Sequence, residues 1–164
     1  MMRALHLFRR DQRGAAGAEM ALMLPLMLVL IFTTFEAGHY FYSEHKIIKS
    51  VRQGARYAAR LPFDNFTCPA SVDAGAVTQI QTVTRTGSPN GTTSRISGME
   101  NSNITVTVAC NSGTTTGIYQ GKAGGAPVIT VAARTNYTSL FSFLLDEGEM
   151  PVIRASAQAA VNGI

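Results

Sequence analysis

The strongest pattern in the chain is an apolar run near its N-terminus. Residues 20–35 contain no charge and consist mainly of leucine, methionine, valine, isoleucine and phenylalanine. Extended back to Ala15, the run is long enough for a helix to cross the roughly 30 Å of hydrocarbon in a bilayer. The pattern therefore predicts a transmembrane helix over residues 15–37.

Residues 38–61 continue the helical spacing of apolar positions, but basic residues now separate them. The predicted inward face consists of these positions: Tyr42, His45, Ile48, Val51 and residues 53–55. Pro62 ends the pattern, because proline lacks the N–H that a helix interior needs. The small residues of "GARYAA" would allow another backbone to approach closely, either the protein's own sheet or a partner helix.

Residues 62–164 are rich in Thr, Ser, Gly and Asn and contain three alternating runs typical of half-buried strands. The runs lie at 104–110, 129–133 and 153–161. A helical spacing over 76–83 ends at Gly87, and Asn90-Gly91 is a hairpin signal. The predicted fold class is α+β: a long N-terminal transmembrane helix that extends outward, followed by a small α+β domain with an antiparallel sheet.

Between the last two runs, "SLFSFLLDEGEMP" is unusually apolar for a loop. We expect a short helix that covers the core. A membrane-facing patch or a partner site is the alternative.

Charge is concentrated in the first fourteen residues, where four arginines face one aspartate and account for most of the net charge of +4. No basic run with interleaved aromatic residues follows, so the high pI does not indicate nucleic-acid binding. Arginines before an apolar span keep the N-terminus in the cytoplasm and send the rest of the chain outside. A cleavable secretory signal and a plain single-pass anchor are the alternatives.

The two cysteines, Cys68 and Cys110, both follow the apolar run. If this part of the chain is exported, the two thiols can pair as a disulfide. Two unpaired, buried thiols are the alternative.

Gly14 ends the basic leader, and Glu19 lies five residues later at the head of the apolar run. This arrangement resembles type IV pilins and pseudopilins, in which a membrane peptidase cuts after the glycine and the fifth mature residue is glutamate. The resemblance implies a mature chain that begins at Ala15 with a cationic α-amino group. A carboxylate and an ammonium at membrane depth are each costly alone and less so when paired. Glu19 could then pair with the Ala15 amine of a neighbouring subunit, although a glutamate near a helix start is also favourable by itself.

A more specific resemblance extends over about residues 9–60. The leader "DQRG", Glu19, the Leu24-Pro25 pair, "FEAGHYFY" and "VRQGARYAAR" are similar to the TadE-like family, the minor pseudopilins of tight-adherence (Flp) pilus machinery. The resemblance implies cleavage by a prepilin peptidase after Gly14, membrane insertion and a role in building a thin pilus. It assigns processing and assembly to Glu19.

No catalytic constellation is present in the sequence. His6, His39 and His45 lack the spacing of a metal site, and no nucleophile or phosphate-loop motif occurs. We therefore predict no enzyme activity, no metal and no cofactor.

The predicted function is that of a membrane-inserted minor pseudopilin, with an uncleaved, membrane-anchored binding or adhesin domain as the alternative. The predicted parts are a cleaved leader over 1–14, a span over 15–37, an outer helix over 38–61 and a periplasmic domain over 62–164. The predicted location is the bacterial inner membrane, with incorporation into the pilus left open. The predicted partners are a prepilin peptidase, other pilins, the assembly platform and membrane lipid.

Overall fold

The computed structural model describes residues 14–68, 71–141 and 151–163. The chain divides into two compact units, Met1–His39 and Tyr40–Ile164. Helix α1, Ala15–Ala59, accounts for most of what is described in the first unit and continues into the second. The predicted fold class is confirmed: a long apolar N-terminal helix precedes a small domain of mixed helix and antiparallel strand.

The second unit is built on a three-stranded antiparallel sheet with strand order β3-β4-β5. Its strands are β3, Ile104–Asn111; β4, Ala126–Asn136; and β5, Val152–Ala160. A short ribbon pairs β1, Phe66–Thr67, with β2, Ser71–Val72. All three alternating runs of the sequence are therefore strands, as predicted.

Helix α2, Ala74–Thr86, begins and ends at residues suited to those positions. The Asp73 carboxylate accepts hydrogen bonds from the backbone N–H groups of Gly75 and Ala76, at 2.8 and 3.1 Å. Such an N-cap satisfies donors that the first helical turn leaves unpaired. Gly87 closes the helix in the left-handed region, at φ 82°, where only glycine is free of strain.

The turn predicted in the segment "SPNGTTS" is confirmed, but the hairpin signalled by Asn90-Gly91 does not form. The Gly91 N–H donates to the Ser88 carbonyl at 3.2 Å, so a turn does form. However, the turn follows α2 and leads into a loop, and no strand flanks it. Residues 142–150, which contain most of the predicted short helix, lie outside the described residues.

The core of the second unit lies between one face of the sheet and the outer half of α1. The fully buried side chains of Ile47 and Val51 on α1 share a cluster with Ile129 and Val131 on β4. The predicted inward face of the helix is wrong in its first half, because Tyr42 and His45 are exposed. Two apolar stripes compete on this helix, and the stripe through Ile47 faces the sheet.

The "GARYAA" segment packs against its own unit. Ala55 and Ala58 are buried in the core cluster, and a Cβ at Gly54 would overlap the Thr84 side chain of α2. Of the two alternatives left open by the sequence, the structure therefore supports close packing within the same chain.

We expect Gly54→Ala to lower the free energy of unfolding by about 2 kcal/mol, because overpacking a tight core forces backbone shifts. Thr84 cannot turn away easily, since its side chain is buried and its hydroxyl donates to the Ile80 carbonyl at 2.7 Å. Denaturant unfolding of the full chain in detergent would measure the change. Gly38→Ala on the same helix is the matched control, because a Cβ there meets nothing within 4 Å.

Candidate functional site

The first candidate site is the apolar half of α1. Between Met20 and Phe35, its large apolar side chains are 40–79% exposed. By length and composition, the helix qualifies as a membrane span, and the described structure buries none of its apolar window. So much apolar surface needs a cover of lipid or of other helices.

Polar groups inside this segment are satisfied locally. The hydroxyls of Thr33 and Thr34 donate to the carbonyls of Val29 and Leu30, at 2.8 and 2.7 Å. Back-bonding of this kind spares a hydroxyl the cost of facing hydrocarbon without a partner. The segment thus combines an apolar exterior with internally bonded polar side chains.

The residues predicted for processing lie at the start of this helix. Gly14 directly precedes Ala15, the first residue of α1, and Glu19 is exposed one turn further on. A Cβ at Gly14 or at Gly17 would meet nothing within 4 Å. Packing of the described residues therefore gives no reason for glycine at position 14, in contrast to Gly54.

The two cysteines form the predicted disulfide. Cys68 follows β1 and Cys110 lies near the end of β3, and their sulfur atoms are bonded across a sequence separation of 42 residues. Gly124 passes directly over Cys68 at φ 80°, so a side chain there would meet the Cys68 Cβ at 2.6 Å. The disulfide therefore links the β1–β2 ribbon covalently to β3 of the sheet, and the backbone at Gly124 packs against it.

The structure also brings together two residues that the sequence did not single out. Arg134 on β4 and Arg154 on β5 are direct cross-strand partners. Each strand was predictable from its alternation, but strand register decides which residues face each other, and no sequence signal fixed it. Among the described residues, no group of three or more His, Cys, Asp or Glu side chains could hold a metal.

Within the described part of the chain, one N-terminal apolar helix is a candidate membrane span, and the chain continues into a disulfide-linked α+β unit. Residues 14–56 match the family model described as TadE-like protein, the family that the N-terminal sequence resembles. That family indicates a role in Tad/Flp pilus systems, in association with pilus assembly components. No curated protein and no solved structure gives a significant match.

Proposed function

We propose that this chain is a minor pseudopilin of a Tad/Flp-type pilus, matured by a prepilin peptidase that cuts between Gly14 and Ala15. It is a structural subunit without catalytic activity. The leader faces the cytoplasm, α1 spans the bacterial inner membrane, and residues 62–164 lie in the periplasm. Its partners are the peptidase, other pilins or pseudopilins, the assembly platform and membrane lipid.

One observation carries this proposal: an open glycine and an exposed glutamate, five residues apart, stand at the head of an exposed apolar helix. The family match begins at Gly14 itself. Because no described atom lies within 4 Å of a Cβ built at position 14, packing does not explain the glycine, whereas a peptidase that needs a small residue before the cut would explain it. The exposed Glu19 is available to a neighbouring subunit after that cut.

We expect Gly14→Val to block maturation, so that residues 1–14 remain attached to most of the membrane protein. The reason is steric, since a branched side chain would enter the peptidase site next to the bond to be cut. Intact mass of the membrane-extracted chain distinguishes the two forms directly.

Gly17→Val is the matched control, because Gly17 is equally open and lies three residues later in the same run of small residues. We expect the leader to be removed from this variant as from the wild type. A leader retained in the wild-type protein would favour the uncleaved anchored domain instead. Loss of the chain through about Gly38 would indicate ordinary secretion.

A further inference from the structure

The outward face of the sheet carries two arginines in direct apposition. Arg134 and Arg154 are register partners in the antiparallel β4–β5 pair. Partners in register project to the same side of a sheet, a few ångströms apart. The neighbours Ala133, Thr135 and Ile153 are buried on the core side, so both exposed guanidinium groups belong to the opposite, solvent-facing side.

The pair places two like charges side by side. Like charges directly opposite on adjacent strands destabilise a sheet. Within the described residues, neither guanidinium forms an ion pair or a hydrogen bond. Asn103, which directly precedes β3, continues the cross-strand row formed by Arg154 and Arg134. The carboxylate of Glu100 accepts a hydrogen bond from the Asn103 backbone N–H. The described residues thus present two cations side by side, an arrangement that suits binding of an anion.

Two shallow clefts of about 400 and 440 Å³ meet at the arginine pair, and both include Asn103. The first adds the hydroxyls of Thr105 and Ser156, and the second is also lined by Val152, whose side chain is 43% exposed. Amide and hydroxyl groups around two guanidinium forks suit an oxyanion such as phosphate, which arginine binds through paired hydrogen bonds. The exposed Val152 side chain in the second cleft favours an anion that is attached to an apolar molecule.

The arginine pair lies near the part of the second unit that contains its first residue, Tyr40. Tyr137, three residues after Arg134, packs edge-on against Tyr40, with ring centroids 5.2 Å apart. At the other end, the N–H of Asn162, which follows β5, donates to the Ala59 carbonyl at 2.8 Å. Tyr40 is the first residue of this unit and lies five residues after Phe35, the end of the uncharged apolar run.

We propose that Arg134 and Arg154 bind the phosphate of an anionic phospholipid headgroup. This inference rests on the membrane insertion included in the proposed function. The two guanidinium groups hold the phosphate oxygens, the surrounding hydroxyls and the Asn103 amide add hydrogen bonds, and Val152 contacts the glycerol or upper acyl region. An anionic headgroup is preferred to a zwitterionic one, because choline would bring a third cation toward the arginines.

The test is native mass spectrometry of the full chain in detergent, titrated with phosphatidylglycerol or phosphatidylcholine. We expect Arg134→Gln combined with Arg154→Gln to weaken phosphatidylglycerol binding about 10- to 30-fold, the effect of two basic residues near a lipid surface. The matched control is Arg52→Gln combined with Arg56→Gln, which removes the same charge from exposed positions on α1. It should change binding less than about twofold, since distant surface charges are screened.

Further measurements distinguish headgroup binding by this pair from unfolding and from general charge attraction. The Arg134 and Arg154 variant should be at least as stable as the wild type, because it removes a repulsion, so weaker lipid binding cannot come from unfolding. Equal losses in both double variants would overturn the proposal, as would equal binding of the two lipids or displacement of the lipid by millimolar inorganic phosphate. Because the lipid measurement does not depend on leader removal, an uncleaved protein that binds lipid would refute maturation alone.

Discussion

Replacing both Cys68 and Cys110 by serine is expected to lower the free energy of unfolding of the second unit by about 4 kcal/mol. The bridge closes a loop of 42 residues in sequence, which contains the β2 strand, all of α2 and most of β3. Without it, the unfolded chain regains the conformational freedom that the closed loop denies. Small domains are marginally stable, so a loss of this size would remove a large share of the total.

Denaturant unfolding of the full chain in detergent, followed by circular dichroism, would measure this loss. The wild-type protein under strong reductant should unfold at nearly the same denaturant concentration as the double serine variant. The paired control, Thr67→Ser with Ala109→Ser, changes the exposed neighbours of the two cysteines and should leave the midpoint almost unchanged. A reduced protein as stable as the oxidised one would show that the bridge contributes nothing to folding.

Thiol labelling gives an independent check on the same bond. Denatured but unreduced protein should contain no reactive cysteine, and reduction should expose two. Full labelling before reduction would contradict the pairing in the cell, whatever its effect on stability.

Local patterns predicted the elements of this fold well. Alternation identified β3, β4 and β5, and Gly87 marked the end of α2, because backbone geometry and the burial of one face impose those residues directly. The turn at Asn90-Gly91 was recognisable, and the helical spacing just before it already argued against a hairpin. A hairpin requires strands on both sides of the turn, and the helical segment before it excluded one.

Tertiary contacts were harder to predict from the sequence than secondary structure. The outer part of α1 carries apolar side chains on more than one face, and only the sheet decides that Ile47 is buried while Tyr42 is exposed. The role of Gly54 depends on where α2 crosses α1, and the apposition of Arg134 and Arg154 depends on strand register. These features require distant segments to be placed first, so no local pattern encodes them.

The candidate N-terminal site shows the opposite balance, because only the sequence and its family resemblance point to Gly14, Ala15 and Glu19. For these residues, the structure adds that Gly14 is open and Glu19 exposed. A residue kept for folding is usually recognised by what it touches, as with Gly54. A residue kept for assembly touches its partner only in the assembled state, so an exposed acid at the head of an apolar helix remains without a function inside the monomer.

We expect Glu19→Ala to abolish assembly while leaving membrane insertion and the second unit intact. Removing a charge from an apolar run makes insertion easier, and position 19 belongs to the other compact unit of the chain. After cleavage, however, the Ala15 amine of a neighbouring subunit would have no anion to pair with at membrane depth. An unpaired buried charge costs about 3–5 kcal/mol, which lowers an association constant by about 100-fold or more.

Two further variants at position 19 separate the contribution of the charge from that of side-chain length. Glu19→Gln keeps the shape of the side chain without its charge and should fail as Glu19→Ala does. Glu19→Asp keeps the charge with a shorter reach and should give intermediate assembly. Glu44→Gln, which neutralises another carboxylate on α1 in the second unit, should assemble normally.

Assembly is measured as piliation, or as crosslinking to other pseudopilins, at equal membrane levels of each variant. Intact mass is determined first, because a Glu19 variant that retains its leader would assign the residue to processing, the other role that the family resemblance implies. Normal assembly by a cleaved Glu19→Ala protein would remove the case for pairing. The acid would then be explained by its position in the first turns of α1, where the helix dipole favours a negative charge whether or not a neighbour is present.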